Sequence, residues 1–276
     1  MKISVIVPTY NRPRALKLSL LSLAQQSVIP HEVLIADDGS TSETAELVMS
    51  MQDSLKELFP MRHVWHEDRG FRKPMILNET VRQSSGEYLI FLDGDCMAHR
   101  HFIRAHIEYG GPDAIISGKR VEIGRELTER LLEREQIVNR MTLGLLWDAL
   151  RGKSRKVEEA IMIKNSLLRK LAHRDRITDD GVWGCNFSIS KQLFLDINGC
   201  DEDFQDGSIE DNDLGIRALN QGKQVRSVRG LAIIFHLWHK STWDFSNEKY
   251  LHNKAMLKQR IEKKETFCKN GIYKRE

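Results

Sequence analysis

The sequence predicts an α/β protein with a mostly parallel central sheet flanked by helices and interrupted by an inserted helical segment. Three observations predict it. Across residues 1–117, short β-branched runs alternate with stretches of helical period, the pattern of a doubly wound sheet. Polar residues follow three of those runs directly, as Thr9-Tyr10-Asn11, Asp37-Asp38 and Asp93-Gly94-Asp95. In such sheets ligands bind outside the carboxyl ends of the strands. From Arg120 to Asp180 the chain becomes rich in Leu, Glu, Arg and Lys and contains no proline, so two or more amphipathic helices are expected there.

Ile3 to Val7 is a short apolar run punctuated by Pro8 and Asn11, and it reads as the first strand. Arg14 to Gln26 follows, with Leu16, Leu20, Leu23 and Ala24 on one helical stripe. Glu32 to Ala36 predicts the second strand, and Ser42 opens a helix carrying Ala45, Leu47 and Val48. His63 to His66 predicts a third strand, Pro74 to Gln83 a third helix, Tyr88 to Leu92 a fourth strand and Ala114 to Ser117 a fifth. Core-like sequence returns at Val182 to Ile189, then Glu210 to Gln221 predicts a helix and Leu231 to Phe235 a late strand. The tail from Asn247 reads as a basic helix. The expected boundaries divide the chain into 1–117, 118–180, 181–245 and 246–276.

At 276 residues the chain can bury a full core. Its 41% hydrophobic and 29% charged content is that of an ordinary globular protein, and a net charge of +3 is too small to point to nucleic acid. Positive charge is concentrated locally: residues 151–176 hold 9 Lys/Arg against 3 Asp/Glu, and residues 249–276 hold 9 against 3. Such stretches suit an anionic lipid surface, or simply a solvated helix face. Cys96, Cys185, Cys200 and Cys268 form no CxxC pair, and read as reduced thiols of a cytoplasmic protein. MKISVIVPTYNR has the pattern of a strand rather than a signal peptide, and no run approaches the roughly 18 apolar residues of a membrane span. The expected location is the cytoplasm, with peripheral contact at the inner face of the membrane.

Four clusters could carry chemistry. Asp93-Gly94-Asp95 has the spacing that lets two carboxylates face one oxygen-liking divalent ion, and equally the composition of an ordinary turn. In His236-Leu237-Trp238-His239 the histidines are three apart and can share a metal. A site of Asp and His suits manganese or a similar ion better than a structural zinc. Glu210, Asp211 and Asp213 open a helix; its dipole favours acids there, but three acids in four residues exceed that need. One of them could be a general base. Asp68-Arg69-Gly70-Phe71-Arg72-Lys73 is a basic loop before a helix, able to hold phosphate.

In this order the clusters resemble the family 2 glycosyltransferases of the GT-A (Rossmann-like) fold. VIVPTYNRP, VLIADDGST and SSGEYLIFLDGDC look like the N-terminal half of that family. EDRGFRKPMILNETVRQSSGEY is similar to bacterial chondroitin-polymerase-type enzymes. WGCNFSISKQLFLDINGCDEDFQDGSIEDNDLGIRAL with HLWH looks like those enzymes and the β-1,4-galactosyltransferases. The resemblance implies that residues 1–117 form a nucleotide-sugar-binding half and 181–245 an acceptor and catalytic half. Pro8, Thr9, Tyr10 and Arg12 would line the base and ribose, with Asp38 on the uracil or ribose. Arg69, Lys73 and Asn78 would join the nucleotide-sugar site. Asp93, Gly94 and Asp95 would be the DxD motif, with Asp95 binding the metal most directly and Asp93 facing ribose or metal. His239 and His236 would be further metal ligands, for Mn2+ or Mg2+. Asp211 would be the catalytic base and Glu210 would hold a sugar, while Trp183, Gly184 and Asn186 would border the donor sugar. Where galactosyltransferase-like enzymes carry a tryptophan-glycine run before the acidic pair, this chain has Gln205-Asp206-Gly207-Ser208.

The resemblance therefore implies an inverting, metal-dependent transfer from a nucleotide sugar, a UDP-sugar by expectation, to a glycan or lipid-linked glycan, with no nucleic acid partner. Two rivals share the fold and metal use: a sugar-nucleotide nucleotidyltransferase and a non-catalytic sugar-nucleotide-binding relative. The first usually brings a Gly-rich phosphate loop where this chain has Pro8-Thr9-Tyr10-Asn11. A receiver-type signalling module would leave Glu210-Asp211 and HLWH without a role.

Overall fold

Val5, Ile6 and Val7 are fully buried, as are Val33, Leu34 and Ile35. Strands buried on both faces belong to a parallel sheet covered by helices on each side. The computed structural model describes residues 1–176, 181–204, 209–240 and 246–274. Its first part alternates β1 (Ile3–Thr9), α1 (Pro13–Leu23), β2 (Glu32–Asp37), α2 (Ser42–Leu55), β3 (Met61–Trp65), α3 (Lys73–Gln83) and β4 (Tyr88–Leu92). Proline in the first turn of both α1 and α3 starts each helix without losing a backbone hydrogen bond. Next come β5 (Cys96–Ala98), α4 (Phe102–Tyr109), β6 (Ala114–Ser117) and β7 (Val121–Glu122). The helical segment holds α5 (Arg125–Arg134), α6 (Leu143–Leu150), a 3-10 turn at Val157–Ala160 and α7 (Ser166–Leu171). The remainder is β8 (Asn186–Ser190), α8 (Lys191–Asp196), α9 (Glu210–Asn220), β9 (Gln224–Ser227), β10 (Ile234–His236) and α10 (Glu248–Glu262).

The described strands form a seven-stranded sheet in the order β3-β2-β1-β4-β8-β6-β9. All neighbours are parallel except β8, which runs antiparallel to both β4 and β6. The chain winds outward from β1 to β2 and β3, then returns to place β4 on the other side of β1. That reversal opens a crevice at the carboxyl ends of β1 and β4, where Thr9–Arg12 and Asp93–Asp95 emerge.

A second sheet of β5, β10 and β7 stands at this end. It pairs His236 with Cys96 on one side and Glu122 on the other, so a histidine far away in sequence lands beside Asp95. The late strand expected at Leu231–Phe235 is therefore shorter and shifted. The Leu231 and Ala232 amides both bond back to the Val228 carbonyl at 3.0 Å, and pairing begins at the Ile233 carbonyl, which accepts from the His99 amide at 2.9 Å. No helix among the described residues is long and apolar enough to cross a membrane.

Helix α9 is held from behind by buried charge. Arg217 is fully buried and donates to Asp213 at 2.7 Å and to the Gly199 carbonyl at 2.7 Å. Arg260 of α10 donates to the other Asp213 oxygen at 2.8 Å and pairs with Asp201. Every charge has a partner, the condition for burying such a network.

Candidate active site

The turn after β4 is shaped by close approach. The Gly94 amide donates to the Pro8 carbonyl at 2.9 Å, and a Cβ on Gly94 would meet that oxygen at 2.9 Å. Only glycine lets the ends of β1 and β4 come this near. The Asp95 carbonyl then accepts from the Leu237 amide at 2.9 Å, binding the turn to the HLWH segment.

As a result Asp95, His236 and His239 converge, with one ligand atom of each lying within 4.8 Å of the others. Asp95 is 3.5 Å from His236 Nε2, 3.4 Å from His239 Nε2 and 3.0 Å from Arg12 Nη1. Burial would raise the Asp95 carboxyl, but His236, His239, Arg12 and Arg120 outweigh it and hold it below the usual carboxylate range. Burial lowers His236 to about 4, so its imidazole is neutral at physiological pH and keeps a lone pair for a cation. One carboxylate and two imidazoles fit a divalent ion of the manganese type. Asp93 stands outside that trio. Its Oδ1 is buried with no hydrogen-bond partner, 3.5 Å from Lys73 Nζ.

Lys73 joins the two halves of the site. Its ammonium lies 3.5 Å from Asp93 and 3.5 Å from Glu210, at the start of α9. Desolvation opposes its charge, but Asp93, Glu210 and Asp211 together raise its pKa. Asp211 behaves differently. Burial raises it, Glu210 raises it further, and Lys73 with the Gly184 and Asn212 amides pulls it back, leaving it at about 7. The Gly184 amide donates to Asp211 Oδ2, and a Cβ at Gly184 would come within 2.9 Å of that oxygen. Ile209, just before the pair, has φ +58°, a left-handed conformation that β-branched residues rarely adopt. Such a residue stores strain of about 1–3 kcal/mol, and strain of this kind clusters at functional sites.

A cleft of about 360 Å³ lies over the carboxyl ends of the strands, lined among others by Pro8, Thr9, Tyr10, Asp38 and Phe71. Asp38 has one oxygen 2.7 Å from His66 Nε2, while the other accepts from the Arg72 amide at 3.0 Å. Desolvation raises the Asp38 pKa against those bonds. The Tyr10 hydroxyl donates to Asp68 at 2.9 Å, fastening the loop after β1 to the basic loop.

Residues 4–194 match the family described as glycosyl transferase family 2. The chain belongs to glycosyl transferase family 2. Its fold is of the GT-A type, and residues 170–240 also match the N-terminal domain of galactosyltransferase. Chondroitin synthase of Escherichia coli is 25% identical over 244 residues, 85% of this chain and 34% of that protein. The chain thus spans about a third of the length of that relative. A mannosyltransferase from Pyrobaculum calidifontis, solved in complex with GDP-Man and Mn2+, superimposes with a TM-score of 0.62 at 15% identity, covering 95% of this chain and 64% of that one. Staphylococcus aureus TarS, solved with UDP-GlcNAc, gives 0.56 at 18% identity, covering 96% and 66%.

Within this family 2 site, three residues expected at the nucleotide sugar are placed elsewhere. Asn78 is fully buried, donating to the Cys200 carbonyl at 2.8 Å and to Glu202, while its oxygen accepts from the Cys200 amide. Asn186 is also fully buried. It donates to the carbonyls of Lys119 and Ala232 at 2.8 and 2.9 Å and meets His106 at 3.0 Å. Both asparagines fasten backbone segments, and neither has a polar atom left for a ligand. Arg69 is solvent-exposed and pairs with Glu67 at 2.8 Å. Gln205–Ser208 lie outside the described residues.

Motif and spacing alone do not single out a further group of residues at the site. Lys156, Lys119 and Arg120 lie 4.7, 5.4 and 5.5 Å from the centre of the Trp183 ring, next to Gly184 and so to Asp211. Glu122 is the carboxylate among them, 2.7 Å from Lys156, 2.8 Å from Arg155 and 4.0 Å from Arg120. Three cations thus face the Trp183 ring, and Arg120 among them also faces Asp93 and Asp95. The signal for them was the spacing of Lys119-Arg120 and Arg155-Lys156, which only the pairing of Glu122 with Arg155 brings together.

Proposed function

We propose that this chain transfers a sugar, with inversion, from a nucleotide-sugar donor of the UDP-sugar class to a glycan or lipid-linked glycan. The observation that carries it is the Lys73 ammonium set 3.5 Å from both Asp93 and Glu210, the former two residues from Asp95 of the carboxylate–histidine cluster and the latter next to Asp211, a carboxylate raised to about 7. The complexes of the two structural neighbours with GDP-Man and UDP-GlcNAc support a nucleotide-sugar donor.

Pro8, Thr9 and Tyr10 would line the base, with Asp38, held by His66 and Arg72, reading the uracil or ribose. Asp95, His236 and His239 would hold Mn2+ or Mg2+, with Asp93 on the ribose or the ion. Bound there, the ion neutralises negative charge growing on the leaving diphosphate. Asp211 takes the proton from an acceptor hydroxyl. That oxygen bonds to the anomeric carbon while the bond to the diphosphate breaks on the opposite face, and its electron pair leaves with the phosphate. Glu210 and Lys73 keep the base in place, and Trp183 with Gly184 would border the donor sugar. Lys156, at the Trp183 ring, would favour an acceptor carrying carboxylates or phosphates.

A thermal-shift screen of UDP- and GDP-sugars, with Mn2+ or with a chelator, tests this directly. One donor class should raise Tm only with the metal present. Release of free sugar or transfer to an added glycan would separate an enzyme from a binding-only relative. Indifference to every donor would sink the assignment.

A further inference from the structure

Leu143, Leu146, Trp147 and Leu150 of α6 are 87%, 44%, 63% and 74% exposed. Positions i, i+3, i+4 and i+7 lie on one face of a helix. The other face is anchored. Leu145 is fully buried, Thr142 caps the helix by accepting from the Leu145 amide at 3.1 Å, and buried Asp148 accepts from the Ser154 hydroxyl. The stripe is thus a fixed feature of a packed helix, and a contiguous apolar stripe rimmed by polar residues marks an interaction surface. Helix α7, in the same segment, exposes Leu167, Leu168 and Leu171.

The charge around α6 selects the partner. Residues 140–156 carry Arg140, Arg151, Lys153, Arg155 and Lys156 against one acid, Asp148, which is turned inward. Arg140 and Arg151 bracket the stripe and are exposed. Lys153 pairs with Glu126, and Arg155 and Lys156 with Glu122, toward the body of the protein. Self-association through the stripe would set these cations against their own copies.

We propose that α6 is a docking helix for an anionic membrane surface, with Leu143, Leu146, Trp147 and Leu150 entering the head-group region and Arg140 and Arg151 resting on acidic head groups. It would present the Lys156–Trp183 side of the site to acceptors held in the lipid. That purpose rests on the sugar-transfer reading, whereas the docking itself does not.

The test is flotation of the whole chain with phosphatidylcholine vesicles, with and without phosphatidylglycerol, alongside donor binding measured by thermal shift without vesicles. The chain should float only with the anionic vesicles, less so at high salt, and with a blue shift of tryptophan emission. Trp147→Phe should float but lose most of that shift. Leu143→Ser and Leu150→Ser should each weaken flotation roughly tenfold, and donor binding should stay unchanged. Equal flotation with neutral vesicles, none with either, or a concentration-dependent dimer abolished by Leu150→Ser would overturn the proposal. Loss of donor binding in the parent chain would instead strike the sugar-transfer reading and leave the docking result standing.

Discussion

Asp95 and Asp211 are both partly buried carboxylates at the carboxyl end of the sheet, and their surroundings move them in opposite directions. Asp95 sits among His236, His239, Arg12 and Arg120, and is held low. Asp211 has Glu210 as its immediate neighbour and shares Lys73 with it and with Asp93, so it is raised to about 7. The first is an anion throughout the working pH range and suits a cation. The second can change protonation near neutrality and suits proton transfer. Two like groups with pKa values pushed apart mark a division of labour.

The largest effect expected is at Asp211. Asp211→Asn should lower transfer by roughly 100- to 10,000-fold while leaving donor-induced Tm shifts in place. In the parent chain kcat/KM should rise with pH through about 7 and level off above it, because the ionised form is the base. Stability carries the opposite sign. A carboxyl raised in the folded state stabilises at low pH and loses that contribution as pH climbs from the ordinary aspartate value of 3.8 through about 7. Asp211→Asn should therefore have its largest Tm advantage at pH 8, a smaller one at pH 5 and none below about 3.8; the reverse order would contradict a raised pKa.

Asp95→Asn should come next. Removing the carboxylate of the trio, or adding a chelator, should cost on the order of a hundredfold in turnover and abolish the metal dependence of donor binding. Metal-independent binding in the parent chain would break the comparison on its Asp95 side. Lys73→Met probes the link between the two carboxylates. The ammonium pulls Asp211 down, so without it activity should fall roughly tenfold at neutral pH and recover toward alkaline pH. An equal loss at every pH would show that Lys73 acts only by packing. The smallest effect belongs to Lys156→Ala, which should raise KM about fivefold for an acceptor bearing carboxylate or phosphate. KM for the donor and for a neutral acceptor should be unchanged.

Much of the scaffold was readable in the chain. The β1–β4 runs, the helices between them and the polar residues at their ends follow from local periodicity and turn chemistry, and each lies within a few residues of its expected place. Helix α4 and the three-residue strand β5 were not expected from the sequence, and β10 was expected slightly early, at Leu231–Phe235, because in elements this short the apolar pattern does not settle the boundaries. The antiparallel course of β8 was equally hidden, since Asn186–Ser190 has the same composition whichever way it runs.

For the site, residue type was enough to single out Asp93, Asp95, Glu210, Asp211, His236 and His239, because clustered carboxylates and histidines after strands are costly without a use. Residue type was not enough for Asn78 and Asn186. An asparagine that caps a ligand and one that ties two backbone segments look alike until their partners are known. What the sequence by itself determined is the inventory: which strands, which acids, which histidines, and the glycine at 94 that lets two strand ends meet. What only the tertiary structure decided is adjacency. The second small sheet carries His236 to Asp95 across more than a hundred residues, and Lys73 reaches Asp93 and Glu210 at once. Electrostatic character depends on distance and burial, so a carboxylate held low and a carboxylate raised to about 7 can be spelled with the same letter.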